Sequence, residues 1–389
     1  MRLAKRMSTL APYLFVQIEE KIDRARAEGH DVISLGIGDP DMPTPDHIVE
    51  VAKDSVAKPA NHQYPSSRGM KSFRQSVAKY YERNYGVKLD ADTEIGALIG
   101  SKEGIGHIAF CFTDPGDVNL IPNPGYPVYA AGTTLAGGDC YYMPLLEKNK
   151  FLPDFTTIPT DVAKRSKILF INYPNNPTGA VATPEFFREA IEFATQYDLV
   201  LCHDAAYTEM FYEGERALSL LQFEGAKEIG VEFSSVSKIF NMTGWRIGWI
   251  AGNRDVVNTL NTFKSNLDSG AFQAVQEAAI AALDGPWDCV DRMRDIYKNR
   301  RDLVVETLNS MGWNLEAPHG SLYIWAPIPD GYTSGQFAEE LFDKTYVVVT
   351  PGAGYGTFGE GYIRISLTVP DDRLKEALER VKNSGMTFK

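Results

Sequence analysis

Short apolar segments alternate with helix-like segments through the middle of the chain, from about residue 98 to residue 251. The clearest apolar segments are residues 118–121, 168–171, 199–202, 231–235 and 247–251. Such short runs are typical of strands buried on both faces, and strands that alternate with helices usually lie parallel in one sheet. The pattern therefore predicts an α/β fold with a mostly parallel central sheet covered by helices.

A second, smaller α/β domain is predicted near the C-terminus. Strand-like segments at residues 322–326, 347–349 and 362–366 follow a long helix predicted for residues 287–311. A chain of 389 residues is long enough for two or three domains. We predict an N-terminal segment (1–45) that joins the small domain, a large domain (46–285) and a small domain (286–389). The large domain begins with a predicted helix over residues 46–56, for which Asp46 is the candidate cap.

Composition excludes several classes of partner. The formal net charge of -12 argues against nucleic acid, and no basic stripe is present that would suit a membrane surface. No segment approaches the ~20 consecutive apolar residues that a transmembrane helix needs. The four cysteines are widely spaced and form no zinc-like pairs. We therefore expect a cytoplasmic protein with reduced thiols, without a metal site and without a nucleic-acid or membrane partner.

The segment Ser235-Val236-Ser237-Lys238, followed by Arg246, suggests a cofactor that carries both an aldehyde and a phosphate. A lysine amine can condense with an aldehyde, while hydroxyl groups and a guanidinium can hold a phosphate. Alone the motif is weak, because most lysines in such a context are ordinary surface residues.

Polar residues that follow other predicted strands support this interpretation. Asp204 comes after the strand at 199–202, and open α/β sheets bind their ligands at the carboxyl ends of strands. A buried carboxylate needs a cation, and a protonated pyridine nitrogen would serve; a helix cap or turn is the alternative role for Asp204. Three further motifs follow strands: residues 100–104 (GSKEG) at a helix start, 123–129 (NPGYPVY) and 172–179 (NYPNNPTG).

Taken in this order, the motifs resemble those of fold-type I pyridoxal-phosphate enzymes of the class I/II aminotransferase family. The resemblance extends from residues 36–40 (GIGDP) to residues 362–366 (YIRIS). It implies pyridoxal 5'-phosphate as cofactor, amino acids and 2-oxo acids as substrates, and a homodimer with shared active sites. Within the family, the stretches most similar to members that use LL-diaminopimelate are residues 172–180, 203–207, 241–248 and 264–270.

The resemblance also implies roles around the cofactor. Lys238 would bind the aldehyde and carry the proton at the substrate Cα, Asp204 would keep the pyridine nitrogen protonated, and Tyr207 and Asn176 would donate to the phenolate oxygen. Tyr126 would stack on the ring, although Tyr126 and Tyr207 could instead be core residues. The phosphate ligands would be Ser101, Lys102, Ser235, Ser237, Arg246 and, from the neighbouring subunit, Tyr64.

For the substrate, the resemblance implies that Arg364 binds the α-carboxylate with two parallel hydrogen bonds. The other expected contacts are Tyr13, Gly38 through its main chain, Lys102, Tyr126, Asn176 and Asn266. Tyr64 and Asn266 could also be ordinary surface or interface residues, and Lys102 could read the far end of the substrate rather than the phosphate. Some LL-diaminopimelate members carry a glutamate in the loop that follows the dimer-crossing tyrosine, whereas residues 64–69 contain no acid.

The expected reaction is transfer of an amino group between LL-diaminopimelate and 2-oxoglutarate, with tetrahydrodipicolinate as a product, in lysine biosynthesis. Three alternatives remain open. The first is a broader transaminase for alanine, aspartate or aromatic amino acids, and the second is a carbon–sulfur β-lyase on the same fold. The third is a non-catalytic regulator that binds the cofactor, and the lack of an attached basic DNA-binding segment argues against it.

Overall fold

The fold is taken from a computed structural model that describes residues 3–10, 14–214 and 216–386, with only the main chain at residues 5 and 14–17. Its strands, in chain order, are β1 (Ile33–Ser34), β2 (Ile95–Leu98), β3 (Val118–Asn123), β4 (Asp139–Pro144), β5 (Ser166–Asn172), β6 (Val200–Asp204), β7 (Gly230–Ser235), β8 (Gly248–Gly252), β9 (Tyr323–Pro327), β10 (Val347–Val348), β11 (Thr350–Pro351) and β12 (Tyr362–Ser366).

The α-helices surround these strands and alternate with them through most of the chain. They are α1 (Leu14–Ala27), α2 (Asp46–Val56), α3 (Lys71–Tyr85), α4 (Ser101–Phe112), α5 (Val128–Ala136), α6 (Thr160–Arg165), α7 (Pro184–Tyr197), α8 (Ala226–Ile229), α9 (Val236–Ile239), α10 (Arg254–Ser265), α11 (Gln273–Asp284), α12 (Asp288–Ser310), α13 (Ser334–Thr345) and α14 (Asp371–Asn383). In the part of the chain that the structure describes, none of them is both long and apolar enough to cross a membrane.

The largest sheet has seven strands in the order β2-β8-β7-β6-β5-β3-β4. Strand β8 runs antiparallel to both of its neighbours, and all the other neighbouring strands of this sheet are parallel. This confirms the predicted mostly parallel α/β sheet. Because β5, β6 and β7 run in the same direction, their carboxyl ends lie at one edge of the sheet. There Asn172 of β5 pairs in register with Asp204 of β6.

Two small sheets join distant parts of the chain. Strands β11, β12 and β9 form an antiparallel sheet, while β1 pairs with β10 in parallel. The second pairing connects residues 33–34 to the C-terminal part, as a joined N-terminal segment requires. The domain boundaries at residues 45 and 285 stay predictions.

Helix α2 spans the predicted residues, but the role expected for Asp46 is wrong. The capping position is Pro45, which makes no side-chain capping bond, and Asp46 is the first residue of the helix. A carboxylate in the first turn still stabilises the positive end of the helix dipole. The sequence could not distinguish a cap from a first-turn acid, because both are enriched at helix starts.

Candidate functional site

A cavity of about 280 Å³ opens at the carboxyl ends of β5, β6 and β7. Most of the predicted site residues line it, although they come from widely separated segments. They are Gly38, Ser101, Lys102, Tyr126, Asn176, Asp204, Tyr207, Ser235, Ser237, Lys238, Arg246 and Arg364. Ile37, Ala206, Thr243 and Tyr323 complete the lining.

Asp204 brings a buried carboxylate to this cavity. Its Oδ2 accepts a hydrogen bond of 2.8 Å from the Tyr129 hydroxyl. Its Oδ1 is also buried and has no hydrogen-bond partner among the described residues. Burial raises the pKa of Asp204 to about 6, against the lowering effect of the Tyr129 bond. A buried carboxylate oxygen of this kind can accept a hydrogen bond from a cationic N–H group.

The side chain of Asn172 connects the turn after β5 to the end of β6 by hydrogen bonds. Its side-chain NH₂ donates to the main-chain oxygen of Asp204 over 2.8 Å, and its Oδ1 accepts from the main-chain N–H of Asn176 over 2.8 Å. One amide therefore fixes Asn176 relative to Asp204. This explains why the strand-ending motif begins with asparagine, whose side chain both donates and accepts.

Lys238 lies in the short helix α9, directly after β7, and Ser235 caps that helix by accepting from the Ser237 N–H over 3.3 Å. The Lys238 amine donates to the main-chain oxygen of Gly38 over 2.7 Å. Burial lowers the pKa of Lys238, and the Arg364 and Arg246 charges lower it further, while the Tyr323 phenol acts in the opposite sense. A depressed pKa increases the neutral fraction of the amine, which is the form that attacks a carbonyl and accepts a proton.

The end of the cavity near α4 is suited to an anion. Helix α4 begins at Ser101, after Gly100, and no side chain caps it. The Arg246 guanidinium lies against Gly100, since a Cβ built on that glycine would be only 2.3 Å from Nη2 of Arg246. A twelve-residue helix directs unpaired main-chain N–H groups and a partial positive charge at its start. The arginine adds a full positive charge at the same place.

Arg364 also lines the cavity and is almost completely buried, with 1% of the residue exposed. Its Nη1 donates to Oδ1 of Asn176 over 2.9 Å, and its Nη2 donates to the main-chain oxygen of Gly36 over 2.6 Å. The Tyr323 ring covers the guanidinium, with its centroid 4.0 Å from Cζ. These contacts fix the plane of the group, as recognition of a carboxylate by two parallel hydrogen bonds requires.

Three predicted residues are not part of the cavity lining. Tyr64 is 89% exposed, and Asn266 is exposed with its side-chain NH₂ bonded to the Thr262 main-chain oxygen over 2.9 Å. Tyr13 lies outside the described residues. The roles of Tyr64 and Asn266 were predicted across a subunit interface, so their distance from the cavity of their own chain is compatible with that prediction. The roles of all three stay predictions.

Two tyrosines of the site were missed by the sequence analysis. Tyr129 lies within the motif at residues 123–129, where only Tyr126 received a role, and it follows Tyr126 by three residues, in the first turn of α5. The two rings meet edge to face, with centroids 5.8 Å apart. Tyr323 starts β9, and no local pattern distinguishes it from an ordinary core aromatic residue of a strand.

Comparisons with known proteins show which family the chain resembles over nearly its whole length. The family model described as aminotransferase class I and II matches residues 30–381. A protein of Moorella thermoacetica named LL-diaminopimelate aminotransferase is 58% identical over 382 residues, which are 98% of each chain. A protein of the same name from Desulforudis audaxviator is 58% identical over 97% of each chain. The substrate-bound structure of BacF from Bacillus subtilis superposes with a TM-score of 0.97 at 37% identity, over 100% of this chain and 99% of that one.

Proposed function

This chain belongs to the class I and II aminotransferase family, and from that membership we propose that it transfers an amino group between LL-diaminopimelate and 2-oxoglutarate with pyridoxal 5'-phosphate as cofactor. The cofactor assignment rests on the presence of two groups in the lining of one cavity. Oδ1 of Asp204 is a buried acceptor that lacks a partner among the described residues, and Lys238 supplies an amine of lowered pKa.

The residues of the cavity fit pyridoxal phosphate group by group. Oδ1 of Asp204 would accept from the protonated ring nitrogen, and this cation would compensate the cost of the buried carboxylate. The start of α4 and Arg246 would hold the phosphate, with the hydroxyls of Ser101, Ser235 and Ser237 nearby in the lining. Lys238 would reach the aldehyde.

When bound, pyridoxal phosphate supplies an aldehyde carbon for the amino group and a ring that withdraws electrons from the substrate Cα. Lys238 would take the Cα proton and return it to the cofactor carbon, for which its neutral amine is the competent form. Tyr207 would donate a hydrogen bond from its hydroxyl to the phenolate oxygen, as would the NH₂ group of Asn176. Burial holds the pKa of Tyr207 well above its ordinary value, so this phenol keeps its proton at neutral pH.

Arg364 would hold the substrate α-carboxylate and thereby orient the Cα–H bond relative to the ring. The guanidinium is already oriented by Asn176 and Gly36, so little ordering is needed when the substrate binds. This arrangement serves any amino acid. Selectivity must therefore come from contacts with the rest of the substrate.

LL-Diaminopimelate is supported as the substrate by the names of the relatives at 58% identity and by the four stretches that resemble that group. The second amino-acid head of this molecule needs polar partners far from Lys238. We propose that Lys102 supplies one within the chain. Asn266, which is exposed, would come from the neighbouring subunit of a homodimer, and Tyr13 is the further candidate. The exposed Tyr64 of the neighbouring subunit would instead reach the phosphate.

A comparison of half-reactions on one preparation tests the substrate. The loss of the aldehyde-form absorbance is followed after mixing with LL-diaminopimelate, its meso isomer, alanine, aspartate or lysine. Buried polar groups left unpaired by a shorter substrate cost about 1–3 kcal/mol each, so LL-diaminopimelate should react at least about tenfold more efficiently than the shorter amino acids. Equal efficiency with alanine or aspartate would instead establish the broader transaminase.

A further inference from the structure

Tyr323 touches more of the active-site groups than any role given so far explains. It starts β9, is 2% exposed, and lines the cavity beside Tyr207, Lys238 and Arg364. We propose, on the basis of the function given above, that Tyr323 is a positioning residue: its hydroxyl directs the proton of Tyr207 into the cavity, and its ring sets the plane of Arg364.

The hydroxyl part of the proposal follows from one hydrogen bond. The hydroxyl oxygens of Tyr207 and Tyr323 are 2.9 Å apart, and both side chains are buried. A phenol has a single proton, so only one of the two can donate within the pair. If the Tyr207 O–H donates its hydrogen bond to a bound phenolate oxygen, the Tyr323 O–H must donate to the Tyr207 oxygen. The two hydroxyls then form a directed chain in which each bond strengthens the next.

No competing partner disturbs this chain. Among the residues that the structure describes, neither hydroxyl makes another hydrogen bond. Without the Tyr323 hydroxyl, the Tyr207 O–H would lose the hydrogen bond that polarises it and would be a weaker donor to the phenolate oxygen. Tyr323 therefore acts on the cofactor through Tyr207 rather than by direct contact.

The ring part of the proposal follows from strand register. Strand β9 pairs with β12 so that Arg364 lies opposite Trp325, two residues beyond Tyr323 on the same face of the strand. The Tyr323 ring consequently reaches diagonally over the guanidinium, whose Cζ is 4.0 Å from the ring centroid. A cation stacked at this distance on an aromatic face is held in a defined plane.

The main chain of Gly38 also restricts the position of the Tyr323 ring. A Cβ built on Gly38 would be 2.0 Å from the Tyr323 hydroxyl oxygen, so the phenol packs directly against that main chain. The oxygen of the same residue accepts from the Lys238 amine over 2.7 Å. Tyr323 is therefore held between the segment that contacts Lys238, the Tyr207 hydroxyl and the Arg364 guanidinium.

Two substitutions separate the two parts of this role. Tyr323→Phe removes the hydroxyl and keeps the ring, whereas Tyr323→Leu removes both. The hydroxyl is tested without substrate, by titrating the visible absorbance of the bound cofactor. Both variants should move the midpoint of that titration to higher pH, because the phenolate oxygen loses stabilisation, and Tyr323→Phe should lower kcat about twofold to tenfold.

The role of the ring is tested by measuring the Kd of 2-oxoglutarate for the enzyme that holds the cofactor as its aldehyde. This oxo acid has no amino group, so it binds that form without reacting. Tyr323→Phe should leave this Kd within about twofold of the wild-type value, and Tyr323→Leu should raise it about threefold to thirtyfold. If the leucine variant does not fold, Tyr323→Met provides an apolar side chain that adapts to the same space.

Tyr85→Phe is the matched control, because Tyr85 is a buried tyrosine outside the cavity whose hydroxyl lies 3.3 Å from that of Tyr80. It should change neither the midpoint nor the Kd. An unchanged midpoint in Tyr323→Phe would overturn the hydroxyl role, and an unchanged Kd in the folded leucine or methionine variant would overturn the ring role. A wild-type protein that binds pyridoxal phosphate poorly or fails to transaminate would contradict the proposed function instead.

Discussion

Tyr129 donates a hydrogen bond of 2.8 Å to Oδ2 of Asp204, and both side chains are buried. The bond stabilises the ionised carboxylate, while burial favours the protonated form and has the larger effect. The pKa of Asp204 is consequently raised to about 6. In the cofactor-free protein this carboxylate is a charge whose second oxygen, Oδ1, has no partner among the described residues.

Asp204 should make the stability of the cofactor-free protein depend on pH. Its carboxyl has a pKa near 3.8 in an unfolded chain and about 6 in the folded protein, so the folded state binds the proton more tightly. The stabilisation of the folded state by this proton is fully present below pH 3.8 and is lost as pH rises through about 6. At ~1.4 kcal/mol per pKa unit, about 3 kcal/mol of the free energy of unfolding should disappear over this window.

Urea unfolding of wild type and Asp204→Asn between pH 4 and pH 7 measures this effect as a difference between the two proteins. The asparagine cannot ionise, so the wild-type stability should decrease relative to the variant as pH rises. Added pyridoxal phosphate should reduce the decrease, because its ring nitrogen provides the missing cation. A difference that stays flat across the window would show that Asp204 is not the titrating group.

Lys238 should be the residue to which borohydride attaches the cofactor. Mass spectrometry after reduction and proteolysis should find the label on the peptide that contains Lys238, because its amine has a lowered pKa and lies inside the cavity. Lys238→Ala should still bind the cofactor but should lose kcat by a factor on the order of a thousand, since the proton carrier is absent. A label on Lys102, the other lysine of the lining, would reverse the assignment.

Gly38 should tolerate no side chain. A Cβ at this position would lie 2.0 Å from the Tyr323 hydroxyl oxygen, so Gly38→Ala must displace either the main chain that contacts Lys238 or the Tyr323 ring. We expect a loss of about 1–3 kcal/mol in the free energy of unfolding, together with a lower kcat. Gly335→Ala is the matched control.

Gly335 lies exposed near the start of α13, and a Cβ added there would have nothing within 4 Å, so alanine at this position should stabilise the helix by up to about 1 kcal/mol. Thermal unfolding and steady-state kinetics on both variants give the comparison. Wild-type kinetics for Gly38→Ala would mean that the close approach to Tyr323 is not needed for catalysis.

The sequence allowed prediction of those site residues that directly follow parallel strands. Asp204 ends β6, while Asn176 and Lys238 follow β5 and β7, and the ends of parallel strands must meet at one edge of the sheet. The contacts of Gly38 and Tyr323 could not be predicted in this way. The contact between Gly38 and Tyr323 depends on how the N-terminal segment and the small antiparallel sheet pack against the seven-stranded sheet. No local sequence pattern predicts that packing.

Arg364 should be required as an arginine rather than merely as a cation. A lysine cannot make two parallel hydrogen bonds to a carboxylate, nor can it stack on Tyr323 as a planar group. Arg364→Lys should therefore reduce kcat/KM about tenfold to a hundredfold with every amino acid that the enzyme accepts. The Kd of pyridoxal phosphate should change little, and a large change in it would indicate that Arg364 supports the cofactor site instead.

In the proposed homodimer, a chain inactivated at Lys238 should still supply its Tyr64 to the active site of the neighbouring chain. Lys238→Ala inactivates the site of its own chain, and Tyr64→Ala should weaken the site of the neighbouring chain, because Tyr64 is 89% exposed and outside the cavity of its own chain. A mixed dimer of the two variants then contains one site with both residues intact. Refolding the chains together in equal amounts should yield about a quarter of the wild-type sites.

The control mixes Lys238→Ala with Asp204→Ala, which belong to the same chain's cavity and so leave every site defective. About a quarter of the wild-type activity, with Tyr64→Ala homodimers themselves impaired, would demonstrate the shared site. Fully active Tyr64→Ala homodimers and about half the wild-type activity in the first mixture would remove Tyr64 from the site.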